Sequence, residues 1–489
     1  MAKPHNTTPH PHRLRHIAVL VLAPVTAAAA TLAIINKSDS LPSKVVAASI
    51  TDSTTTSSTA ASSSSLDANT TTASTSSTLA VPPVKVGTSA IDANSPLAKA
   101  LVPFIDSLPS AACLIVDIGD VRVASVRPTK ALAPASTEKV LTATAALNVF
   151  GPTHRFNTKV TTAKALNGDT VTGDLYLLGD GDPVLSTVGY QKAAKHQPAL
   201  ATSIEKLADS VAATGLKKVT GTVIGDESKF ATDRSGATWG FQYDVTTGTG
   251  PLSALVLNDS FTEDGSAVES PSGYAAKTLQ KLLEKRGISF GGNAIGGAAP
   301  ADTLVLTSID SPPLLDIVSE MLRNSDNLTA EMLAKNIDAA SFGEATIESS
   351  AARVVKMLST QGFDTTAVAL KDSSGLDRGN RATCTALANT MHAIGRRGEI
   401  GTHGLAVAGE SGTLSKRYLK TPAAGRLRAK TGSIPNVAGL VGFVDPPENS
   451  GQPIITFALI LNNVDDGQKF VMEDALVKTL TEWNLPPGK

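Results

Sequence analysis

Cysteine is scarce in this sequence. The 489 residues hold only Cys113 and Cys384, which excludes a disulfide-rich scaffold and a zinc ribbon. Outside the cytosol the two can form a single bridge; as buried free thiols they would serve equally well, and the sequence leaves both open. Excess charge is also missing. A net charge of −1 provides no overall field to attract nucleic acid or acidic membranes. Metal motifs are lacking: half of the eight histidines lie in the first sixteen residues. Asp180 and Asp182 of GDGDP lack the rest of an EF-hand loop, so that segment reads as a turn. No repeat of fixed period stands out. What is present, 42 % hydrophobic and 18 % charged residues, suits a soluble globular core diluted by polar, uncharged sequence, with length for about two to four domains.

The dilution lies at the N-terminus. Lys3, Arg13 and Arg15, with no acidic residue among them, precede an apolar run from Ile17 to Ile35. Basic then apolar is an export pattern, and the run is also long enough to span a bilayer as a helix, basic flank inside. Residues 1–37 are therefore expected to be an export signal, cleaved, or a membrane anchor. Residues 38–93 are rich in serine and threonine (STTTSSTAASSSS, TTTASTSST) and nearly free of large apolar residues. Such a stretch buries too little surface to offset its ordering entropy and is expected to be a disordered stalk.

Beyond the stalk, Leu97, Leu101 and Ile105 follow helical spacing. Cys113–Asp117 and Val121–Val126 read as strands around a Gly119-Asp120 turn. At the other end, Arg426–Gly432, Val437–Val444 and Ile454–Leu461 read as strands, followed by a helix over 467–483. Strands and a helix at each end predict an α+β fold: one antiparallel sheet built from both ends of the chain and covered by helices. The expected catalytic domain is 94–155 plus 293–489. Residues 156–292, glycine-rich with strand candidates at Asp174–Leu178 and Val219–Ile224, are expected to be inserted β-rich domains.

Three short segments carry chemistry. In PASTEKVLTATAALNVFG, Pro134 precedes Ser136-Thr137-Glu138-Lys139, and a helix with an apolar stripe at Val140, Ala143, Leu147 and Phe150 should stop at Gly151-Pro152. Ser136 and Lys139 share a helix face, and unpaired N–H groups at the helix start favour an oxyanion. A serine nucleophile needs a base, and a lysine serves only when burial or nearby cations keep it neutral. Ser325-Asp326-Asn327 interrupts two helical stretches and projects polar groups. Ala429–Ser433 (AKTGS) lies on a strand whose alternation puts Lys430 and Gly432 on one face. Gly432 allows close backbone approach, and Lys430 can bind a carboxylate. Each segment alone reads equally as a helix start, a solvated turn or an edge strand. Their joint presence in this order is the signature of penicillin-binding proteins and serine β-lactamases.

On these motifs the sequence resembles the penicillin-binding D-Ala-D-Ala carboxypeptidase/endopeptidase family (low-molecular-mass, class C). Lys139 and Ser325 lie 186 positions apart, a far longer gap than in class A β-lactamases. GDLYLLGDGDPVLS from Gly173, GTVIGDESKF from Gly221, PLSALVLND from Pro251, DSSGLDRGNR from Asp372 and VAGESGTLSKR from Val407 add to the likeness, which spans roughly residues 95–485. The resemblance implies a transpeptidase-like fold with a helical subdomain and an extracytoplasmic enzyme acting on peptidoglycan stem peptides. It also implies covalent inhibition by β-lactams and no cofactor. In the implied mechanism Ser136 attacks the carbonyl between two D-alanines and Lys139 takes its proton. Ser325 relays a proton to the leaving amine, and Asn327 binds the peptide amide. Lys430, Thr431 and Ser433 engage the terminal carboxylate, and the N–H groups of Ser136 and Ser433 form the oxyanion hole. Ser433 stands where threonine is also common; the hydroxyl is kept. Two rivals remain: a serine β-lactamase, which lacks support because no Glu-x-x-Leu-Asn element lies between Asn327 and Lys430, and a non-catalytic envelope-binding protein of the same fold.

Overall fold

The computed structural model describes residues 92, 95–193, 199–239, 249–396, 400 and 404–483. The expected export segment lies outside the described residues, as does all but Asp92 of the expected stalk. Among the described residues no helix is long and apolar enough to cross a membrane.

A six-stranded antiparallel sheet joins the two ends of the described chain. Its order is Ala406–Val407, Leu427–Ile434, Val437–Val444, Ile455–Asn462, Ala112–Ile118 and Val121–Val126. The seam is the pairing of Ala112–Ile118 with Ile455–Asn462, with Ala112 opposite Leu461. The inner strands are apolar along their length because both faces are covered. Alternation sorts their side chains into two cores. Leu114, Val116, Leu440, Phe457 and Leu459 pack under the helices Pro96–Ser107 and Asp466–Glu482. Cys113, Ile115, Val441, Ala458 and Ile460 face a helical layer that includes Lys139–Phe150, Leu314–Asn324, Asn327–Ala340, Ile347–Thr360 and Cys384–Arg396. Cys113 and Cys384 form a disulfide that ties the sheet to this layer.

The intervening segment builds its own sheets. A five-stranded sheet runs Ile295–Gly296, Val223–Asp226, Leu175–Leu178, Asn157–Thr162, Leu304–Asp310. A core with the helices Ile204–Ala213 and Pro271–Glu284 backs it. Two expectations change here. The sheet continues past 292, because Leu304–Asp310 pairs with Asn157–Thr162. The single strand expected over Val219–Ile224 is two: Lys218–Val219 pairs with Thr170–Val171, and Val223–Asp226 pairs with Leu175–Leu178. The break falls at Gly221, where a Cβ would come within 2.1 Å of Asp174 Oδ1 and 2.7 Å of the Gly173 carbonyl oxygen.

Candidate active site

The PASTEK segment turns before it becomes a helix. Residues Ala135–Glu138 form a 3-10 turn and the α-helix starts at Lys139, so Ser136 sits one turn ahead of the α-helix proper. Ala135 takes φ +47°, a left-handed conformation that a side chain rarely adopts. Thr137 Oγ1 donates to the Pro134 carbonyl at 2.6 Å and closes the turn. Two glycines hold it from outside. A Cβ on Gly375 (φ +86°) would lie 2.1 Å from the Ala135 carbonyl oxygen, and one on Gly432 would lie 2.8 Å from that of Pro134 and 3.1 Å from Ser136 N. Gly432 thus brings the Leu427–Ile434 strand directly against the serine turn. The helix after it is not amphipathic: every residue from Lys139 to Leu147 is buried, where a single apolar stripe was expected. A helix in the middle of a core is covered all round.

Lys139 is fully buried, and its Nζ lies 3.0 Å from Ser136 Oγ, 2.7 Å from Asn327 Oδ1 and 2.5 Å from the Ser374 carbonyl oxygen. Burial draws its ammonium down to about 8, against the opposing pull of Asp372, Glu331, Asp326 and Glu138. Asn327, expected on the substrate amide, therefore also touches the lysine. Its neighbour Ser325 closes the helix Leu314–Asn324 in a left-handed conformation (φ +63°). Asp326 caps the next helix by accepting from Thr329 N at 2.6 Å. This tight turn aims Ser325 Oγ at Lys430 Nζ, 2.8 Å away.

Lys430 is also fully buried and donates to the carbonyl of Thr431 at 2.7 Å. Burial, then the charge of Lys139, pushes its ammonium far below the ordinary lysine range. Thr431 Oγ1 donates to Thr413 Oγ1 at 2.9 Å. Ser433 is exposed on the same strand, opposite Ala438. The eight residues singled out in the sequence thus fall on three segments, and side-chain contacts connect Ser136, Lys139 and Asn327 on one side and Ser325 and Lys430 on the other.

Sequence reasoning missed several neighbours. The Ser374 carbonyl belongs to the DSSG turn, held by Asp372, which accepts from Gly375 N, Asp377 N, Asn380 Nδ2 and Trp239 Nε1 at 2.6–2.9 Å. Glu138 and Glu331 are buried beside Lys139. In the sequence the turn shows only as DSSGLDRGNR, whose residue types assign it no role. Asp180 of GDGDP pairs with Lys229 at 2.7 Å, and Asp182 accepts from Val184 N at 3.0 Å within the turn.

A turn that presents a serine to a buried lysine, with a second serine–lysine contact from the facing sheet strand, belongs to the penicillin-binding class of serine acyl-transfer enzymes, and the sheet-and-helix fold agrees. A sequence profile of the D-Ala-D-Ala carboxypeptidase 3 (S13) family matches residues 109–264 and 260–483, and the chain belongs to this family. It is 28 % identical over 433 residues to a D-alanyl-D-alanine carboxypeptidase of Actinomadura, covering 72 % of this chain and 77 % of that one. It is 32 % identical over 345 residues to carboxypeptidase DacB of Mycolicibacterium smegmatis, covering 68 % and 71 %. The crystal structure of penicillin-binding protein 4 from Haemophilus influenzae superposes with a TM-score of 0.66 at 21 % identity, over 78 % of this chain and 98 % of that one, and shares the fold.

Proposed function

We propose that the chain is a serine-type D-alanyl-D-alanine carboxypeptidase/endopeptidase. It cleaves peptidoglycan stem peptides outside the cytoplasm through an acyl-enzyme on Ser136, and β-lactams acylate the same serine. Family membership supports the reaction, and the surroundings of Lys139 Nζ carry the assignment of roles. Asn327 Oδ1 and the Ser374 carbonyl can only accept. A neutral amine spends its two N–H bonds on them, and its lone pair is left for the third neighbour, Ser136 Oγ. Lys139 is then the base that takes the Ser136 proton as Oγ attacks the carbonyl between the two D-alanines.

The N–H groups of Ser136 and Ser433 receive the oxyanion. Ser325, bonded to Lys430, passes a proton to the departing amine, and Asn327 also meets the peptide amide. Lys430, Thr431 and Ser433 meet the terminal carboxylate, with Gly432 leaving room for the substrate backbone. Water hydrolyses the acyl-enzyme. The N-terminal segment would export the enzyme or anchor it to the membrane. Incubating the full chain with a labelled penicillin and mapping the adduct by mass spectrometry tests this reading. A stable adduct on Ser136, together with D-alanine released from a D-Ala-D-Ala peptide, is the expected result. No adduct on Ser136 overturns it, and an adduct lost within seconds without D-alanine release makes the protein a β-lactamase.

A further inference from the structure

Four carboxyls act on Lys139; Asp326 caps a helix, and the mechanism above uses none of the other three, Asp372, Glu138 and Glu331. Asp372 is satisfied by four hydrogen-bond donors. The other two are not. Glu138 is fully buried, and neither of its oxygens has a hydrogen-bond partner among the described residues. Glu331, 1 % exposed, accepts the Ser373 N–H on Oε1 at 2.9 Å. A buried carboxylate short of donors, as Glu138 is at both oxygens and Glu331 at Oε2, is costly, and such a group keeps its proton instead. Burial first, then Asp372, pushes Glu331 up to about 8, and burial with Asp372 and Glu331 pushes Glu138 well above the usual range. The remaining charged groups that face the cluster are Asp326 at the head of the Asn327–Ala340 helix, Asp377 beyond the DSSG turn, Lys335 one turn along from Glu331, and Lys430 on the sheet.

The Ser373–Ser374 backbone links these carboxyls to the reaction. Ser373 N is held by Glu331, Ser373 O by Thr142 Oγ1 at 2.8 Å, and the next carbonyl receives Lys139 Nζ. We propose that Glu331, with Glu138 beside it, is a positioning residue for Lys139: it fixes the Ser374 carbonyl through Ser373, and it remains protonated in the reactive enzyme so that Lys139 stays neutral. Ionised, Glu331 would hold a proton on Lys139 and occupy the lone pair that Ser136 needs. The form with the charge on Glu331 and the proton on Lys139 competes with the reactive form at the same total proton count. This inference rests on Lys139 acting as the base.

The test is the pH dependence of penicillin acylation of the full chain, from pH 5 to 9.5. Glu331→Gln retains an acceptor for Ser373 N and cannot ionise, so it removes the competing form. Because the competing form holds as many protons as the reactive one, rates well below the limb are expected to coincide with wild type, and the plateau above it is expected to rise about twofold as that form is lost. Glu138→Gln raises the plateau in the same direction. Glu331→Ala loses the acceptor, and its plateau rate is expected to fall about tenfold below that of Glu331→Gln. A Glu331→Gln plateau no higher than that of wild type overturns the proton-holding role, and equal plateaus for the alanine and glutamine variants overturn the positioning role. Should Glu331→Gln fail to fold by circular dichroism, Glu138→Gln decides: an unraised plateau sinks the proposal. If the wild-type chain itself forms no adduct on Ser136, the functional reading has failed, not this refinement of it.

Discussion

Two serine–lysine pairs share this site, and their surroundings differ. Ser136 and Lys139 lie on one turn, 3.0 Å apart, while Ser325 and Lys430 meet at 2.8 Å from segments 105 residues apart. Both lysines are fully buried, and burial lowers both. Lys139 has four carboxyls within electrostatic reach and settles at about 8, whereas the charged group acting on Lys430 is Lys139, and it falls further. A proton arriving on Lys139 is therefore tolerated, and one arriving on Lys430 is opposed until a negative charge enters. On the proposed reading the same two residue types serve as a base at one end and, at the other, as an amine that burial disposes to take up its proton only when a substrate carboxylate arrives.

The comparison breaks first at the serines. Ser136→Ala is expected to abolish the adduct and lower D-alanine release by up to about 10^6-fold. Ser325→Ala should still acylate, slower by about 10^2-fold, because only a proton relay is lost. Equal losses would make the pairs equivalent. At the lysines, Lys139→Ala is expected to cut acylation by about 10^3–10^4-fold, with the fold retained by circular dichroism; near-normal acylation removes Lys139 as the base. In wild type the acylation rate should rise with pH and level off above about 8, since on the proposed reading the neutral amine is the reactive form; a rate that falls over this range contradicts the assignment.

The two halves of the site were unequally legible in the sequence. Ser136 and Lys139 could be paired because three residues span one helical turn, and Lys430 and Gly432 because strand parity puts them on one face. These are local rules. The Ser374 carbonyl was invisible, since a backbone oxygen carries no residue-type signal, and Glu331 looks like any charged residue of a surface helix until the core closes over it. The fold divides the same way. Val437–Val444 is long and apolar enough to read as a buried strand. Val219–Ile224 reads as one strand until Asp174 and Gly173 approach Gly221, a tertiary event. The stripe on the Lys139 helix misled because its polar residues are also buried, as Thr142 is by its bond to the Ser373 carbonyl.

A smaller effect concerns the charge of Lys430. If its amine is neutral until a carboxylate arrives, binding a D-Ala-D-Ala peptide to the Ser136→Ala variant should take up close to one proton near pH 7. Calorimetry in buffers of different ionisation enthalpy reads this directly. The amidated peptide should take up none, and Lys430→Met should remove the uptake with the free-acid peptide. Uptake that persists in Lys430→Met would place the titrating group elsewhere and end the contrast between the two lysines.

The smallest expected effect lies at the rim. Thr413, in the Gly412–Leu414 turn, accepts from Thr431 Oγ1 at 2.9 Å in an exposed position. That bond orients a hydroxyl expected to meet the substrate carboxylate, and a solvent-exposed bond between neutral groups is worth about 0.5–1.5 kcal/mol. Thr413→Val keeps the shape and frees Thr431 to rotate. KM for a D-Ala-D-Ala peptide is then expected to rise about two- to tenfold with kcat nearly unchanged, because the carboxylate is bound alike in ground and transition states. A fall in kcat instead would mean that Thr431 acts on the reacting centre, beside Lys430, and would enlarge the second serine–lysine pair into a group of three.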